Sequence, residues 1–196
     1  MKSSAADFVT VVSGLPRSGT SMMMQMLAAG GMPVISDGLR TADADNPRGY
    51  FELEAVKKLK TDSMWVAGAR GHAVKVISML LSELPADHEY RVIFMLRDMG
   101  EILASQNEML KRRGTSGSAS GDAAMRQHFE AHLKKVRAWL AAQKNFRVHF
   151  CEYRELLRAP MEQAHGVAEF IGCGLDEHAM VQAIDPALHR NRQARI

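Results

Sequence analysis

The chain contains 196 residues, of which 46% are hydrophobic and 24% are charged, so we expect one folded domain over residues 1–196 with a sizeable core. No apolar run approaches the roughly 20 residues of a membrane span, and the segment before Phe8 lacks the apolar core of a signal peptide. The net charge of +3 comes with scattered arginines, which favours a small, multiply anionic ligand over nucleic acid.

Five short apolar runs alternate along the chain with segments of helical periodicity. The runs predicted as strands are Phe8–Ser13, Met32–Ile35, Ala73–Ile77, Arg91–Leu96 and Arg147–Cys151. This alternation predicts an α/β fold, a three-layer sandwich in which helices cover both faces of a central, mostly parallel sheet of about five strands. Because ligands in such folds bind outside the carboxyl ends of the strands, we expect the site there.

The predicted helices span residues 19–29, 51–62, 78–84, 99–113, 122–143, 153–157, 161–171 and 177–184. Methionines cover nearly all sides of the first helix and indicate core packing rather than a soft-metal site. The polar segment 36–50 is predicted as a loop over the strand ends. Residues 114–121 are a low-complexity stretch, either a lid over a substrate or a loose connection, and Asp122 is the predicted N-cap of the next helix.

The first predicted strand runs directly into a loop bounded by Gly14 and Gly19, and the loop runs into the first helix. This order aims backbone N–H groups and a helix N-terminus at one point, which is an arrangement that binds oxyanions. The glycine spacing is that of a nucleoside-triphosphate loop, but Thr20 stands where the lysine belongs, and Arg17 lies within the loop instead. A guanidinium suits a face of phosphate or sulfate oxygens. The alternative is a tight turn without a ligand.

Two motifs resemble those of the sulfotransferases that use 3′-phosphoadenosine 5′-phosphosulfate (PAPS), a family with a P-loop NTPase-like fold. The segment Pro16-Arg17-Ser18-Gly19-Thr20-Ser21 is similar to the family's 5′-phosphosulfate loop. The second motif is Val92-Ile93-Phe94-Met95-Leu96-Arg97-Asp98 followed by Ser105. The resemblance implies that Arg97 and Ser105 grip the 3′-phosphate. The spacing agrees with this role, because Arg97 would end a strand and Ser105 would lie two turns into the next helix.

A third, less specific resemblance places Lys75 at the strand end where the family's lysine assists the leaving bridging oxygen. A lysine within a buried strand is in itself unusual and indicates a role. The cytosolic branch of the family has a histidine base two residues later, where this chain has Ile77. Other members often take a glutamate from the loop after the first helix, so the resemblance makes Glu52 the candidate base. A carboxylate at this position could equally cap a helix.

Several other residues are second candidates. Behind Glu52 as the base stand Glu54, Asp45, Asp37 and the rival His72. The basic tail contains Arg190, Arg192 and Arg195, which either contact the 3′-phosphate or belong to a disordered end. The imidazoles of His128 and His132 are four residues apart but lack a third ligand, so we expect no metal. The two cysteines, Cys151 and Cys173, are expected to be buried free thiols in a reducing cytoplasm.

The resemblance implies an enzyme that transfers a sulfuryl group from PAPS to a hydroxyl or amine by in-line displacement. Its acceptor would be a small molecule, a glycan or a lipid, and fixed cations would replace magnesium. A kinase of nucleotides or small molecules shares the same alternation of elements, although the absent loop lysine counts against it. A protein that binds PAPS or its product without catalysis is a further alternative. Oligomeric state is left open.

Overall fold

The computed structural model of the chain describes residues 7–43, 46, 49–112, 114–115 and 119–185, with no account of the side chains at 119 and 120. Five strands form one sheet in the order β2-β3-β1-β4-β5, and every neighbouring pair is parallel. The strands are β1 (Val9–Gly14), β2 (Val34–Ile35), β3 (Ala73–Lys75), β4 (Tyr90–Leu96) and β5 (Phe146–Glu152). All five predicted strands are therefore confirmed, and the sheet is entirely parallel.

Six α-helices are described: α1 (Thr20–Ala29), α2 (Met99–Arg112), α3 (Ala119–Ala142), α4 (Tyr153–Arg158), α5 (Pro160–Ile171) and α6 (Glu177–Gln182). Three 3₁₀ helices cover Glu54–Lys58, Met64–Ala69 and Ser78–Glu83. The buried core falls into clusters on the two faces of the sheet, with α1, α4, α5 and α6 on one face and α3 with the 3₁₀ helices on the other. The predicted three-layer α/β fold is confirmed.

The central strand is buried on both faces because successive side chains point in opposite directions. Val11 belongs to the cluster under α3, whereas Val12 belongs to the cluster under α1. In the register of the sheet, Val12 lies beside Lys75 of β3 and Gly14 lies beside Met95 of β4. The carboxyl ends of β1, β3 and β4 therefore meet at one edge.

Helix α1 begins at a glycine and ends at glycines. Gly19 has φ 100° and its carbonyl oxygen accepts a hydrogen bond from the N–H of Met23 at 3.1 Å. At the other end Gly31 has φ 91°, and the following Met32 N–H donates to Leu27 at 2.9 Å. Left-handed backbone of this kind favours glycine. The predicted burial is confirmed for three of the methionines, Met23, Met24 and Met26.

Several predicted elements are corrected. The predicted helices at 51–62 and 78–84 are short 3₁₀ helices, and the 3₁₀ helix Met64–Ala69 was not predicted. Helix α3 begins at Ala119, so Asp122 lies in its first turn and is not its N-cap. The carboxylate of Asp122 instead accepts a hydrogen bond from the amide of Asn107 at 2.8 Å. Cys151 is buried as expected, but Cys173 is exposed. Within the described ranges, no helix is both long and apolar enough to span a membrane.

Candidate active site at the carboxyl ends of the strands

A cavity of about 670 Å³ opens at the carboxyl ends of β1, β3 and β4. Most of the residues predicted for the site line this cavity. They are Pro16, Arg17, Gly19, Thr20, Ser21, Glu52, Lys75, Arg97 and Ser105. Ser18 is not among the lining residues, and Arg190 and Arg192 lie outside the described residues, as does Asp45. Segments distant in the sequence thus meet at one place because the parallel strands end there.

The glycine loop fits closely against the elements behind it. A Cβ atom at Gly14 would lie 2.7 Å from the carbonyl oxygen of Met95, and one at Gly19 would lie 2.5 Å from the ring of Tyr153. Arg17, between them, has φ 68°, which is a strained value for a residue with a side chain. The backbone of the loop therefore tolerates little change at its two glycines.

Ser18 is buried within the loop and does not line the cavity. Its side chain is buried, its Oγ has no hydrogen-bond partner among the described residues, and its N–H donates to the carbonyl oxygen of Leu15 at 3.2 Å. The N–H groups of Thr20 and Ser21 belong to the first turn of α1 and have no acceptor within the helix. Those amides carry the positive end of the helix dipole. An anion would thus meet Thr20 and Ser21 rather than the Ser18 hydroxyl.

The loop is joined directly to α2 through Arg17. Its Nε donates to the Oγ of Ser105 at 2.8 Å, and Ser105 is buried. The carbonyl oxygen of Arg17 accepts a hydrogen bond from Nη1 of Arg97 at 3.0 Å. The two motifs that resemble separate parts of the family's donor site are thus in contact with each other.

Arg97 is held by a buried carboxylate. Its Nε lies 3.0 Å from Oε2 of Glu101, and the side chains of Arg97 and Glu101 are only 8% and 2% exposed. The other oxygen of Glu101 accepts a hydrogen bond from Arg154 at 3.0 Å, and the guanidinium of Arg97 lies 4.3 Å from the ring centre of Tyr153. Asp98 instead caps α2, because its Oδ1 accepts from the N–H of Glu101 at 3.0 Å. Arg97 therefore pairs with Glu101, while Asp98 caps the helix.

Lys75 is buried at the end of β3, and its Nζ donates to the carbonyl oxygen of Tyr50. The same nitrogen lies 3.6 Å from Oε1 of Glu52. Burial disfavours the ammonium and lowers the pKa of Lys75 to about 8, and the nearby Glu52 carboxylate opposes part of that shift. Lys75 and Glu52 therefore face each other as a cation and a carboxylate, and both line the cavity.

Glu52 is shared with a second cation that sequence reasoning missed. Nη1 of Arg40 lies 2.8 Å from the same Oε1, and the guanidinium carbon lies 3.4 Å from the centre of the Tyr50 ring. The Tyr50 carbonyl also accepts a hydrogen bond from Oγ of Ser21 at 3.3 Å. Phe51, between Tyr50 and Glu52, has φ 51°. Nothing in the local sequence marks Arg40 or this backbone turn, because both act through contacts between distant segments.

The other candidate bases that the structure describes, Glu54, Asp37 and His72, do not line the cavity. Glu54 pairs with Lys57 at 2.7 Å. The pKa of Asp37 is lowered because its carboxylate accepts hydrogen bonds from the backbone N–H groups of Glu54 and Leu39. His72 precedes β3 at its amino end and bonds to the carbonyl oxygen of Arg70 at 2.9 Å. The structure thus does not bring these three side chains to the site.

Glu108 on α2 does line the cavity and was not predicted, but it pairs with Lys111 at 3.0 Å.

Within the described ranges, no group of three or more His, Cys, Asp or Glu side chains is arranged to hold a metal. His132 is half-buried and bonds to the Ser78 hydroxyl at 2.9 Å. Its pKa is lowered, chiefly by burial and further by the neighbouring His128.

These features define a P-loop-like α/β protein in which the central strand ends in a glycine-bounded loop beside several cations. A family model, described as the sulfotransferase domain, matches residues 9–192. The chain therefore belongs to the sulfotransferase family, which confirms the family that its motifs resemble. No curated protein sequence matches it significantly.

Solved structures of sulfotransferases share the fold. The sulfotransferase domain from the curacin biosynthetic pathway is 14% identical, with a TM-score of 0.56 over 98% of this chain and 80% of that one. A sulfotransferase from Alicyclobacillus acidocaldarius is 16% identical, with a TM-score of 0.52 over 93% and 88% of the two chains. The mouse sulfotransferase SULT7A1, complexed with PAP, is 13% identical, with a TM-score of 0.53 over 90% and 62%.

Proposed function

We propose that this protein is a PAPS-dependent sulfotransferase that moves a sulfuryl group to a hydroxyl or amine of a small-molecule, glycan or lipid acceptor. One observation carries the proposal. Arg17, Lys75 and Arg97, which follow or end three different strands, border a single cavity together with the carboxylate of Glu52. Family membership supports the same activity.

The chemistry of the lining residues suits PAPS. The guanidinium groups of Arg17 and Arg97, the ammonium of Lys75 and the first-turn amides of α1 offer positive charge to a ligand that carries phosphate and sulfate groups. The cavity of about 670 Å³ lies within the range of small-molecule sites, roughly 300–1,000 Å³. The complex of the mouse neighbour with PAP, the product that PAPS leaves, is consistent with this donor.

In the proposed reaction the acceptor oxygen or nitrogen forms a bond to sulfur while the bond between sulfur and the bridging oxygen of the 5′-phosphate breaks. Glu52 accepts the proton that the acceptor loses. Arg17 and Lys75 offset the negative charge that develops on the bridging oxygen. At neutral pH most Lys75 side chains are protonated, because their pKa is about 8.

Arg97 and Ser105 are proposed to bind the 3′-phosphate and thereby distinguish PAPS from ATP. Both side chains border the cavity, and Glu101 fixes the direction of the Arg97 guanidinium through its Nε. Contacts from Arg190 and Arg192 to the same phosphate stay a prediction, since both residues lie outside the described part of the chain.

A ligand-dependent melting experiment tests the donor. We expect PAP to raise the melting temperature more than ADP, AMP or ATP with magnesium, because a ligand stabilises the state that binds it. A larger shift with ATP and magnesium would indicate a kinase. Tight PAP binding without transfer from radiolabelled PAPS to any of a broad acceptor panel would indicate a non-catalytic binding protein.

The base is tested with Glu52→Gln against the matched variant Glu54→Gln. We expect Glu52→Gln to lower kcat by about 100-fold, since the amide cannot accept the proton, and to leave PAP affinity nearly unchanged. Glu54 lies outside the cavity and its replacement should change neither quantity. Normal turnover in Glu52→Gln would assign the base to another residue.

A further inference from the structure

Part of the cavity wall near Lys75 and Glu52 is aliphatic. Leu53, Val56, Ile77 and Leu80 all line the cavity. Leu53 directly follows Glu52 in the chain, and Ile77 lies two residues after Lys75. The apolar wall therefore adjoins the two residues proposed to handle the acceptor's proton and the leaving oxygen.

Two 3₁₀ turns bring these four side chains together in pairs. The N–H of Val56 donates to the carbonyl oxygen of Leu53 at 3.0 Å, and the N–H of Leu80 donates to that of Ile77 at 2.9 Å. Each of these hydrogen bonds closes a single i to i+3 turn, which keeps the two members of the pair close in space. Leu53 and Ile77 are the extended N-cap residues of these turns, and both pairs of side chains line the cavity.

Ile77 is the most informative of the four. Ile77 is 41% exposed although the two residues before it, Lys75 and Val76, are buried. An exposed large apolar side chain inside a cavity is characteristic of a ligand-binding surface, because a ligand that covers it removes apolar area from water. A carbohydrate hydroxyl placed against these four side chains would lose hydrogen bonds to water that their methyl and methylene groups do not replace.

We infer that the acceptor is an alcohol or amine that carries an aliphatic segment beside its nucleophilic atom. This inference rests on the proposed sulfotransferase function. The nucleophile would face Glu52 while the aliphatic segment covers Leu53, Val56, Ile77 and Leu80. A sugar hydroxyl surrounded by further hydroxyls does not fit this wall.

The test measures how straight-chain primary alcohols from butanol to octanol bind to the full-length protein saturated with PAP, by calorimetry. Burial of each added methylene is expected to tighten binding by up to about fourfold until the wall is covered. Glucose serves as the polar probe and is expected to bind much more weakly than octanol. The same series is then offered as acceptors with radiolabelled PAPS, where kcat/KM should follow the same order.

Three variants localise the effect. Ile77→Asn should flatten the dependence on chain length, whereas the conservative Ile77→Val should keep most of it. Met64 is 87% exposed and does not line the cavity, so Met64→Asn is the matched control and should behave like the unmodified protein. Melting curves of all three variants with PAP check that the fold and the donor site are intact.

The outcomes separate the two proposals. Failure of the unmodified protein to bind PAP would overturn the proposed function itself. PAP binding with an affinity for alcohols that is independent of chain length, or with glucose bound as well as octanol, would overturn the aliphatic acceptor while leaving the sulfotransferase proposal standing. A flat dependence in Met64→Asn as well as in Ile77→Asn would show that the effect does not arise at this wall.

Discussion

Arg97 and Lys75 both border the cavity, and each is paired with a carboxylate, but the two pairs are built differently. Arg97 and Glu101 lie four residues apart at the start of α2, approach to 3.0 Å and are both almost fully buried. Lys75 and Glu52 come from β3 and from the segment before a 3₁₀ helix, and their charged atoms are 3.6 Å apart. The first pair is local and closely hydrogen-bonded, whereas the second depends on the tertiary fold.

The difference lies in which partner can change its charge. An arginine stays protonated under all ordinary conditions, so the pair of Arg97 and Glu101 can only orient a guanidinium. Burial lowers the pKa of Lys75 to about 8. Oε1 of Glu52 lies near the charged groups of both Lys75 and Arg40. The first pair therefore keeps a fixed positive charge at the cavity, whereas the second contains a cation whose charge depends on pH.

The largest effect is expected for Lys75→Met, which keeps the length and apolar stem of the side chain but removes its charge. Loss of a cation directed at the leaving oxygen should lower kcat by roughly 10²–10³-fold, with a much smaller change in PAP affinity. The measurement is single-turnover transfer from PAPS. Lys60→Met is the control, because Lys60 is highly exposed and does not line the cavity. Turnover close to that of the control would remove Lys75 from the reaction.

The next effect is on donor selectivity. Arg97→Ala should weaken PAP binding by roughly 2 kcal/mol, about 30-fold, because a charge-assisted contact to the 3′-phosphate is lost. ADP lacks that phosphate, so its affinity should change much less. Calorimetry with both nucleotides measures the two affinities, and Arg97→Lys, which preserves a charge beside buried Glu101, serves as the variant less prone to unfolding. Unchanged PAP affinity in both variants would exclude Arg97 from the donor site.

The third prediction concerns pH. Above a pKa of about 8 the ligand-free protein holds Lys75 mainly as the neutral amine, so an anion must bind together with a proton. PAP affinity should therefore fall by up to about tenfold between roughly pH 7 and pH 9, a range in which the phosphates of PAP are already ionised. Lys75→Arg should abolish most of this decline, since arginine stays charged. An equal decline in Lys75→Arg would assign the titration to another group.

The smallest effect is expected for Arg154→Gln. Arg154 contacts the same Glu101 carboxylate as Arg97, but its side chain is 56% exposed and it does not line the cavity. Exposed ion pairs contribute little, so PAP affinity should change by less than about twofold. A loss as large as that of Arg97→Ala would mean that the cluster around Glu101 acts as one unit, rather than as a clamp on a single arginine.

The sequence alone determined the features that are set by short-range patterns. Short apolar runs, separated along the chain by helical segments, identified all five strands. A strand that is buried on both faces is a continuous run of β-branched and other apolar residues. The loop from Gly14 to Ser21 was recognisable because its conformation requires glycine at fixed spacing. Arg97 and Ser105 were paired through the resemblance to the family's 3′-phosphate motif, and their positions after a strand and in the following helix agree with that spacing.

Only the tertiary structure decided how these residues are coupled. The hydrogen bond from Arg17 to Ser105, the contact of Arg40 with Glu52 and the hydrogen bond from Lys75 to the Tyr50 carbonyl all join segments far apart in the chain. No local periodicity encodes such contacts. The segment after Phe51 shows the same limit, because its helical pattern predicted a longer helix than the short 3₁₀ helix that forms.

The aliphatic wall beside Lys75 and Glu52 belongs to this second group. Leu53 and Ile77 are ordinary apolar residues in the sequence, and only the packing of two 3₁₀ turns at the same edge of the sheet places them on one cavity. The chain's local patterns therefore determined the fold and the donor motifs. The surface next to the proposed acceptor arose from long-range packing, which depends on how distant segments fill space together.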